Sequence, residues 1–315
     1  GHCCRVILLG MRLRLAVLGL GMLRVASLGR GVPRRLRSAS LRFAWSGEGR
    51  SQEDFMESDL CIAVSEDDHV VNAFSKKDCH RVDAAQPRGV LHRAFSVFAF
   101  DHQGRLLLQQ RAADKITFPG VWTNTCCSHQ LSQMQPREED SQREILDGSV
   151  PGTKAAARRK LWHELGLQSE RELDFQFITR LHYWAIDTQT HGLDSPWCEH
   201  EVDYILVTRL PEEGVTMQVN PEEVQAVTFA SPKDLEDMLA DDRNTWSPWF
   251  RIVATDENFL PRWWGALDAL APAAGSAKVP LDFELEREHR KIYRMDPDPV
   301  FMGKSGSWLW REDPA

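Results

Sequence analysis

Cys126 and Cys127 lie in the string Thr123-Asn124-Thr125-Cys126-Cys127-Ser128-His129, and Glu199-His200-Glu201 follows much later in the chain. Together they supply a thiol, an imidazole and two closely spaced carboxylates, groups suited to adding and removing protons at carbon. In an extended segment, residues two apart share a face. Cys127 therefore stands with His129, and Glu199 with Glu201, while His200 points away. Two carboxylates on one face repel unless a proton or cation lies between them; alone, the acidic pair reads equally well as an exposed strand face. His80 and His92 add two more imidazoles. Three His with two Glu form an N3O2 set suited to a divalent first-row ion, with Mg2+ or Mn2+ favoured as the oxygen content rises.

A second group is cationic. Thr153-Lys154-Ala155-Ala156-Ala157-Arg158-Arg159-Lys160-Leu161-Trp162-His163-Glu164-Leu165-Gly166 predicts a helix, with Thr153 as N-cap and Gly166 as the C-terminal stop. Its Arg158, Arg159 and Lys160 form either a solvated face or a seat for a diphosphate, with Glu164 holding Mg2+ against the phosphate oxygens. Lys76, Arg111 and Lys115 can serve the same seat from neighbouring segments.

The elements that must position these groups are short and mixed. Leu60–Val64 and Val70–Phe74 read as strands around a turn, and Ala94–Phe100 with Arg105–Gln109 as a hairpin across Asp101-His102-Gln103-Gly104. Phe175–Ala185 and Glu201–Thr208 are further strands; Ser231–Leu239 and Pro248–Leu270 are helices, the second bent at Pro261. Residues 38–58 read as a linker and 132–152 as a polar insertion. Strands mixed with a few helices, without regular alternation, indicate an α+β fold.

Charge is unevenly distributed. Residues 1–47 contain nine Arg and no Asp, Glu or Lys, so with a net charge of −8 overall the remainder carries about −17. That argues against nucleic acid as a partner. The Arg-rich, acid-free start has the composition of an organellar transit peptide, with a secretory signal as its rival. Its longest Arg-free apolar run, Leu15 to Leu23, is far short of the ~20 residues of a bilayer crossing, so no membrane span is expected. Seven Cys without regular spacing exclude a disulfide framework and favour a reducing compartment.

Read jointly, the motifs are specific. Lys76-Lys77-Asp78-Cys79-His80, Gly89-Val90-Leu91-His92-Arg93-Ala94-Phe95-Ser96-Val97, Gln109-Gln110-Arg111 and Lys115-Ile116-Thr117-Phe118-Pro119-Gly120 precede the cysteine string. Trp122, Arg180-Leu181-His182-Tyr183, Glu199-His200-Glu201-Val202-Asp203-Tyr204 and Ser247-Pro248-Trp249-Phe250 complete the set. In this order, over roughly residues 58–295, the chain resembles the type I isopentenyl-diphosphate isomerases of the Nudix superfamily. The resemblance implies mixed β-sheets flanked by helices in a single catalytic domain, residues 51–295, between a leader and linker (1–50) and a tail (296–315). It implies interconversion of isopentenyl and dimethylallyl diphosphates. His80, His92, His129, Glu199 and Glu201 would hold one metal (Mg2+, Mn2+ or Zn2+), and Glu164 a Mg2+ that arrives with the diphosphate. Cys127 matches the catalytic cysteine, with Cys126 at a variable position. Lys76, Arg111, Lys115 and Lys160 match diphosphate-contacting cations, and Tyr183 and Trp249 the remaining active-site positions. The expected partner is a small allylic or homoallylic diphosphate, the expected state a monomer, and the expected compartment a plastid, with mitochondrion or cytoplasm as alternatives.

Elementary chemistry agrees with these roles. Protonating an unactivated alkene gives a tertiary carbocation that water would trap, so the site must be closed, and an indole face such as that of Trp249 can stabilise the cation. One acid and one base are needed: Glu201 with Tyr183 as donor, Cys127 as acceptor. The alternative is a Nudix-type diphosphate hydrolase. Against the box G-x5-E-x7-R-E-U-x-E-E-x-G-U, Arg159 and Glu164 fit, but Lys160 and His163 replace two glutamates and Pro151 stands where the first belongs. A non-enzymatic metal module is a third possibility, though the C-x2-C pairs of a structural zinc site are absent. Within the isomerase pattern Gln130 replaces a usual Pro, Cys198 a usual Gly and Lys160 a usual Arg; Lys keeps the charge without the bidentate fork, which bears on substrate affinity.

Overall fold

The structure, a computed structural model, describes residues 49–273, 276, 279–281, 283–296 and 309–311. A capping box opens α1 (Gln52–Ser58): Ser51 Oγ accepts from the Asp54 N–H, and the Asp54 carboxylate accepts from the Ser51 N–H. The hairpin β1 (Leu60–Val64) and β2 (Val70–Ser75) leads into α2 (Lys76–His80). β3 (His92–Phe100) and β4 (Leu106–Arg111) are joined by a turn in which Asp101 accepts from the N–H groups of Gln103 and Arg105. Gly104 takes φ +77° there, a conformation that costs glycine nothing.

β5 (Trp122–Thr123), β6 (Cys126–Ser128), α3 (Gln142–Leu146), α4 (Pro151–Leu165), β7 (Gln168–Ser169) and β8 (Gln176–Ile186) follow. α5 (Thr188–His191), β9 (Cys198–Arg209), β10 (Val215–Thr216) and β11 (Val224–Ala230) come next. The chain then runs through α6 (Pro232–Ala240), α7 (Pro248–Thr255), α8 (Leu260–Gly265), α9 (Leu267–Leu270) and α10 (Phe283–Arg287) to β12 (Ile292–Asp296) and β13 (Leu309–Arg311).

One mixed sheet runs in the order β11-β4-β3-β9-β8-β12-β13, with β1 and β6 also pairing to β3, β2 to β1 and β5 to β4, while β7 and β10 pair in a separate two-stranded sheet. β3 and β9 are parallel, while β8 is antiparallel to β9. Every residue of β3 is buried, because both faces of the sheet are covered; hence the continuous apolar run Ala94–Phe100 instead of alternation. Alternate residues serve two cores. Phe98 and Phe100 join Trp249, Phe250 and Trp263 beneath α7 and α8. Phe95, Val97 and Ala99 join Ala156, Leu161 and Leu165 of α4. All described residues belong to one compact unit, an α+β arrangement.

Several expectations shift. The proposed linker contains α1, because the Ser51 box satisfies the orphan amides of that helix; its first part lies outside the described residues. α4 starts at Pro151, not at Thr153. The N-cap Val150 has no side-chain cap, and a distant carboxylate does the work instead. Asp140 accepts from the N–H of Gly152 at 2.7 Å, the N–H of Thr153 at 2.9 Å and Thr153 Oγ1 at 2.6 Å. A Cβ on Gly152 would meet the Glu138 carbonyl oxygen at 2.5 Å, so this approach requires glycine. The helix does stop at Gly166, in the left-handed region at φ +54°.

The insertion 132–152 holds α3. The single bent helix over 248–270 is three helices, and Pro261 lies in the first turn of α8, where its missing N–H is no loss. The transit-peptide expectation and the tail tryptophan Trp308 fall outside the described residues, whereas β13 adds an edge strand to β12. No helix among the described residues is long and apolar enough to cross a membrane.

Candidate active site

Five side chains from four separate segments meet. His80 comes from α2, His92 opens β3, His129 follows β6, and Glu199 and Glu201 project from the same face of β9. Register explains part of this, since β3 and β9 run parallel with His92 opposite Glu201. Their ligating atoms all lie within 4.8 Å of one another. His200 points to the opposite face, where its Nε2 lies 3.2 Å from that of His182.

The donor set fits a cation. The Nδ1–H of His80 donates to the Lys76 carbonyl at 2.6 Å and that of His92 to the Val90 carbonyl at 2.7 Å. These bonds fix the tautomer, leaving each Nε2 as a lone pair aimed into the cluster. Both Nε2 atoms, and Glu199 Oε2, are buried without a hydrogen-bond partner. Yet His80 Nε2 and Glu199 Oε2 are only 2.7 Å apart. Facing lone pairs at that separation repel unless a proton or cation lies between them, and five converging His and Glu donors fit a divalent ion. Burial, then the neighbouring His80, pulls His92 down to about 3, and burial holds His129 well below the usual imidazole range. Neutral imidazoles are the ligating form.

Beside the cluster stands the proton chemistry. Tyr183, opposite Glu201 across the β8–β9 ladder, donates its hydroxyl to Glu201 Oε2. Burial, then the charges of Glu199 and Asp203, pushes the Glu201 carboxyl well above the usual range. Cys127 lines the same small pocket together with Glu199, Glu201 and Trp249. Cys126, by contrast, is fully buried in the core beneath α4, as the alternation of an extended segment requires. Trp249 is fixed by an Nε1–H donation to Asn124 Oδ1 at 3.2 Å and by the edge-on ring of Phe118.

The cations form the pocket's other wall. Lys76, Arg111, Lys115 and Lys160 line it with Glu164, and it adjoins a cavity of about 240 Å³ that shares Lys76, Lys115 and Lys160. Arg111 is held by donations to the carbonyls of Phe118 and Thr117. Lys160 lies 3.1 Å from Glu164 and donates to His163 Nδ1 at 2.9 Å. Of its helical neighbours, Arg158 pairs with Glu172 and Arg159 with Glu138, so they brace the fold. Burial, and then the crowding of Lys76, Arg111 and Lys160, brings Lys115 down to about 8 despite Glu223. Such crowding of cations is relieved by an anion. A larger apolar cavity lies between α6 and α8, lined by residues such as Leu235, Leu239 and Trp264, far poorer in groups that could do chemistry.

Sequence reading missed three partners here. Glu223, 4 % exposed, holds Lys115 at 2.6 Å and accepts from Gln52 at 2.9 Å. Gln109 donates to Glu164 Oε2 at 3.1 Å, and Thr117 Oγ1 to Glu199 Oε1 at 3.1 Å. Gln109 and Thr117 lie within the quoted motifs without a role that spacing could assign, and Glu223, one of two acids in Asn220-Pro221-Glu222-Glu223, reads as a turn residue until the sheet brings Lys115 to it.

Comparison with known proteins places these observations. The NUDIX domain family matches residues 90–250. Isopentenyl-diphosphate delta-isomerase of Schizosaccharomyces pombe is 43 % identical over 67 % of this chain and 85 % of its own length. The Candida albicans protein of the same name is 41 % identical over 76 % and 85 %, and isopentenyl-diphosphate delta-isomerase 1 of Bos taurus 38 % over 75 % and 92 %.

Proposed function

The chain belongs to the isopentenyl-diphosphate delta-isomerases of the Nudix superfamily, and from that premise we propose how its own residues carry the reaction. The protein interconverts isopentenyl and dimethylallyl diphosphates. Glu201, with Tyr183 hydrogen-bonded to it, gives a proton to C4 of the alkene, which leaves a tertiary cation at C3. Cys127, as the thiolate, takes a proton from C2, and the electrons of that C–H bond form the new double bond. One C–H bond forms and one breaks, so the substrate's composition is unchanged while one proton has passed from the acid to the sulfur.

Trp249 offers its ring face to the intermediate cation, and the closed pocket keeps out the water that would trap it. Lys76, Arg111, Lys115 and Lys160 bind the diphosphate oxygens. His80, His92, His129, Glu199 and Glu201 would hold a divalent ion (Mg2+, Mn2+ or Zn2+), and Glu164 a Mg2+ accompanying the diphosphate. Bound ions there would supply electrostatic stabilisation of the acid and of the substrate's phosphates.

The observation that carries the reading is the convergence of Cys127, Glu201 and Trp249 on one pocket walled by cations. The hydrolase alternative lacks support, because Lys160 and His163 stand where box glutamates would gather further metal. Incubation with isopentenyl diphosphate and Mg2+ should yield dimethylallyl diphosphate; released phosphate without an allylic product would replace this reading with hydrolysis. The catalytic domain is taken as residues 51–295 and the protein as a monomer. The Arg-rich, acid-free leader supports delivery to an organelle, with a plastid as first reading; the relatives above are fungal and animal proteins. Imaging a tagged full-length chain separates plastid, mitochondrion and cytoplasm.

A further inference from the structure

Arg111 reaches the pocket beside Trp249, and the bend at Thr117 and Phe118 aims its guanidinium. Nη2 donates to the Thr117 carbonyl at 2.8 Å and Nε to the Phe118 carbonyl at 3.0 Å. The bend holds a conformation that its residue types disfavour. Phe118 has φ +48°, in the left-handed region that bulky side chains avoid, and it precedes Pro119, where extended backbone is preferred. A residue in that region persists only where its surroundings fix it. Here the fixing group is Asp187, whose Oδ2 accepts from the Phe118 N–H at 2.8 Å. Asp187 and Phe118 are both fully buried. Asp187 is itself firmly placed between β8 and α5. Its N–H donates to the Trp197 carbonyl at 3.0 Å, and its Oδ1 caps α5 by accepting from the Thr190 N–H at 3.1 Å. The reaction outlined above gives Asp187 no part.

The bonds to Asp187 and to Arg111 Nη2 leave from one peptide unit. In a trans peptide the C=O of one residue and the N–H of the next lie in a plane and point opposite ways. A carboxylate fixed on the Phe118 N–H therefore turns the Thr117 carbonyl toward Arg111. We propose that Asp187 is a positioning residue that acts through the Thr117–Phe118 peptide to orient the Arg111 guanidinium, so that its remaining N–H groups face the diphosphate. Hydrogen bonds in a chain polarise one another, so the carboxylate also strengthens the carbonyl's hold on the cation. Without it the peptide is free to leave the left-handed conformation, and Arg111 loses one of the two carbonyls that aim it. The inference rests on Arg111 binding the diphosphate in the proposed reaction.

Asp187→Ser separates the two duties of the carboxylate, because serine is as good a helix cap as aspartate but is too short to hold the Phe118 N–H. Inorganic pyrophosphate with Mg2+ is titrated calorimetrically into the full-length, metal-loaded protein. Its Kd should rise about 10- to 100-fold in Asp187→Ser, the range of one hydrogen bond to a charged group. KM for isopentenyl diphosphate should rise with it, while kcat stays within about threefold. The double variant Asp187→Ser/Arg111→Ala should bind pyrophosphate no more weakly than Arg111→Ala alone. Parent-like binding in Asp187→Ser would overturn the proposal, as would additive losses in the double variant or a loss confined to kcat. So would a loss of bound metal by elemental analysis, which would place the effect at Glu199 through Thr117. If Asp187→Ser fails to fold, amide hydrogen exchange of the parent decides. Pyrophosphate should slow exchange of the Phe118 N–H more than that of the β9 amides, and should cease to do so in Arg111→Ala; equal slowing would overturn the proposal. Parent-like binding in Arg111→Ala would remove Arg111 from the diphosphate seat and the inference with it. Asp187-dependent pyrophosphate binding in a protein that makes no dimethylallyl diphosphate would keep the positioning role and remove the isomerase reading.

Discussion

Individual side chains divide here into those that act and those that hold. Cys126 and Cys127 are neighbours with opposite fates, one in the core and one in the pocket. Cys127→Ala should lower kcat by about 10²- to 10⁴-fold, the usual contribution of a positioned proton-transfer group. Cys126→Ala should leave kcat within a few-fold in the same steady-state assay; equal losses would reverse the assignment. Glu201→Gln should keep the fold by circular dichroism and lose turnover, and near-parent kcat would remove its role as acid. Glu223 is a holding residue. Glu223→Gln leaves Lys115 without its buried counter-charge, a change that costs about 3 kcal/mol or more in comparable pairs. Inorganic pyrophosphate should then raise the melting temperature of Glu223→Gln by more than it raises that of the parent. These roles were unequally legible. The cysteine, the histidines and the paired acids carry their chemistry in residue type and spacing, whereas Glu223 and Gln109 acquire theirs only from partners remote in the chain.

At the level of elements, α4 shows how a local rule can be satisfied from a distance. Thr153 followed by a run of helix formers reads as a cap, yet the amides at the helix start are taken by Asp140. Asp140→Ala should therefore destabilise the protein by about 1–2 kcal/mol in chemical denaturation, the cost of a lost cap. Its pH dependence has a definite sign. Burial raises the Asp140 carboxyl above its ordinary value, against the hydrogen bonds from Thr153 and Gly152. The folded state thus binds the proton more tightly than the unfolded chain, and this group's contribution is lost as pH rises through the folded pKa. Asp140→Asn should remove that part of the decline, giving a shallower fall of melting temperature on going upward from about pH 4, the ordinary carboxyl range. An unchanged slope would rule out the Asp140 contribution. Elsewhere the apolar run of β3 and the strand over Glu201–Thr208 were readable from sequence, while the break between α7 and α8 was not. It follows from α7 ending at Thr255 and a new helix starting at Leu260, with Pro261 in its opening turn.

For the whole molecule, the sheet is the device that makes a site from remote parts. Parallel pairing of β3 with β9 and antiparallel pairing of β8 with β9 put His92 and Tyr183 on either side of Glu201. α2 and the segment after β6 bring His80 and His129 to the same point. The buried His3Glu2 group should then be linked to global stability. Removing metal with a chelator should lower the melting temperature, and restoring an ion to about 100 times its Kd should return about 2.7 kcal/mol. Equal melting curves with and without metal would show that the cluster holds no ion. The sequence alone determined the kinds of group present, their pairing at i and i+2, the mixed strand-and-helix pattern and the family resemblance, because these depend on residue type and local periodicity. Only the tertiary structure decided which groups meet, since strand order and register are set by burial of two cores across the whole chain. That is why the orphaned imidazole nitrogens and the Glu223 counter-charge emerge only once the sheet is assembled.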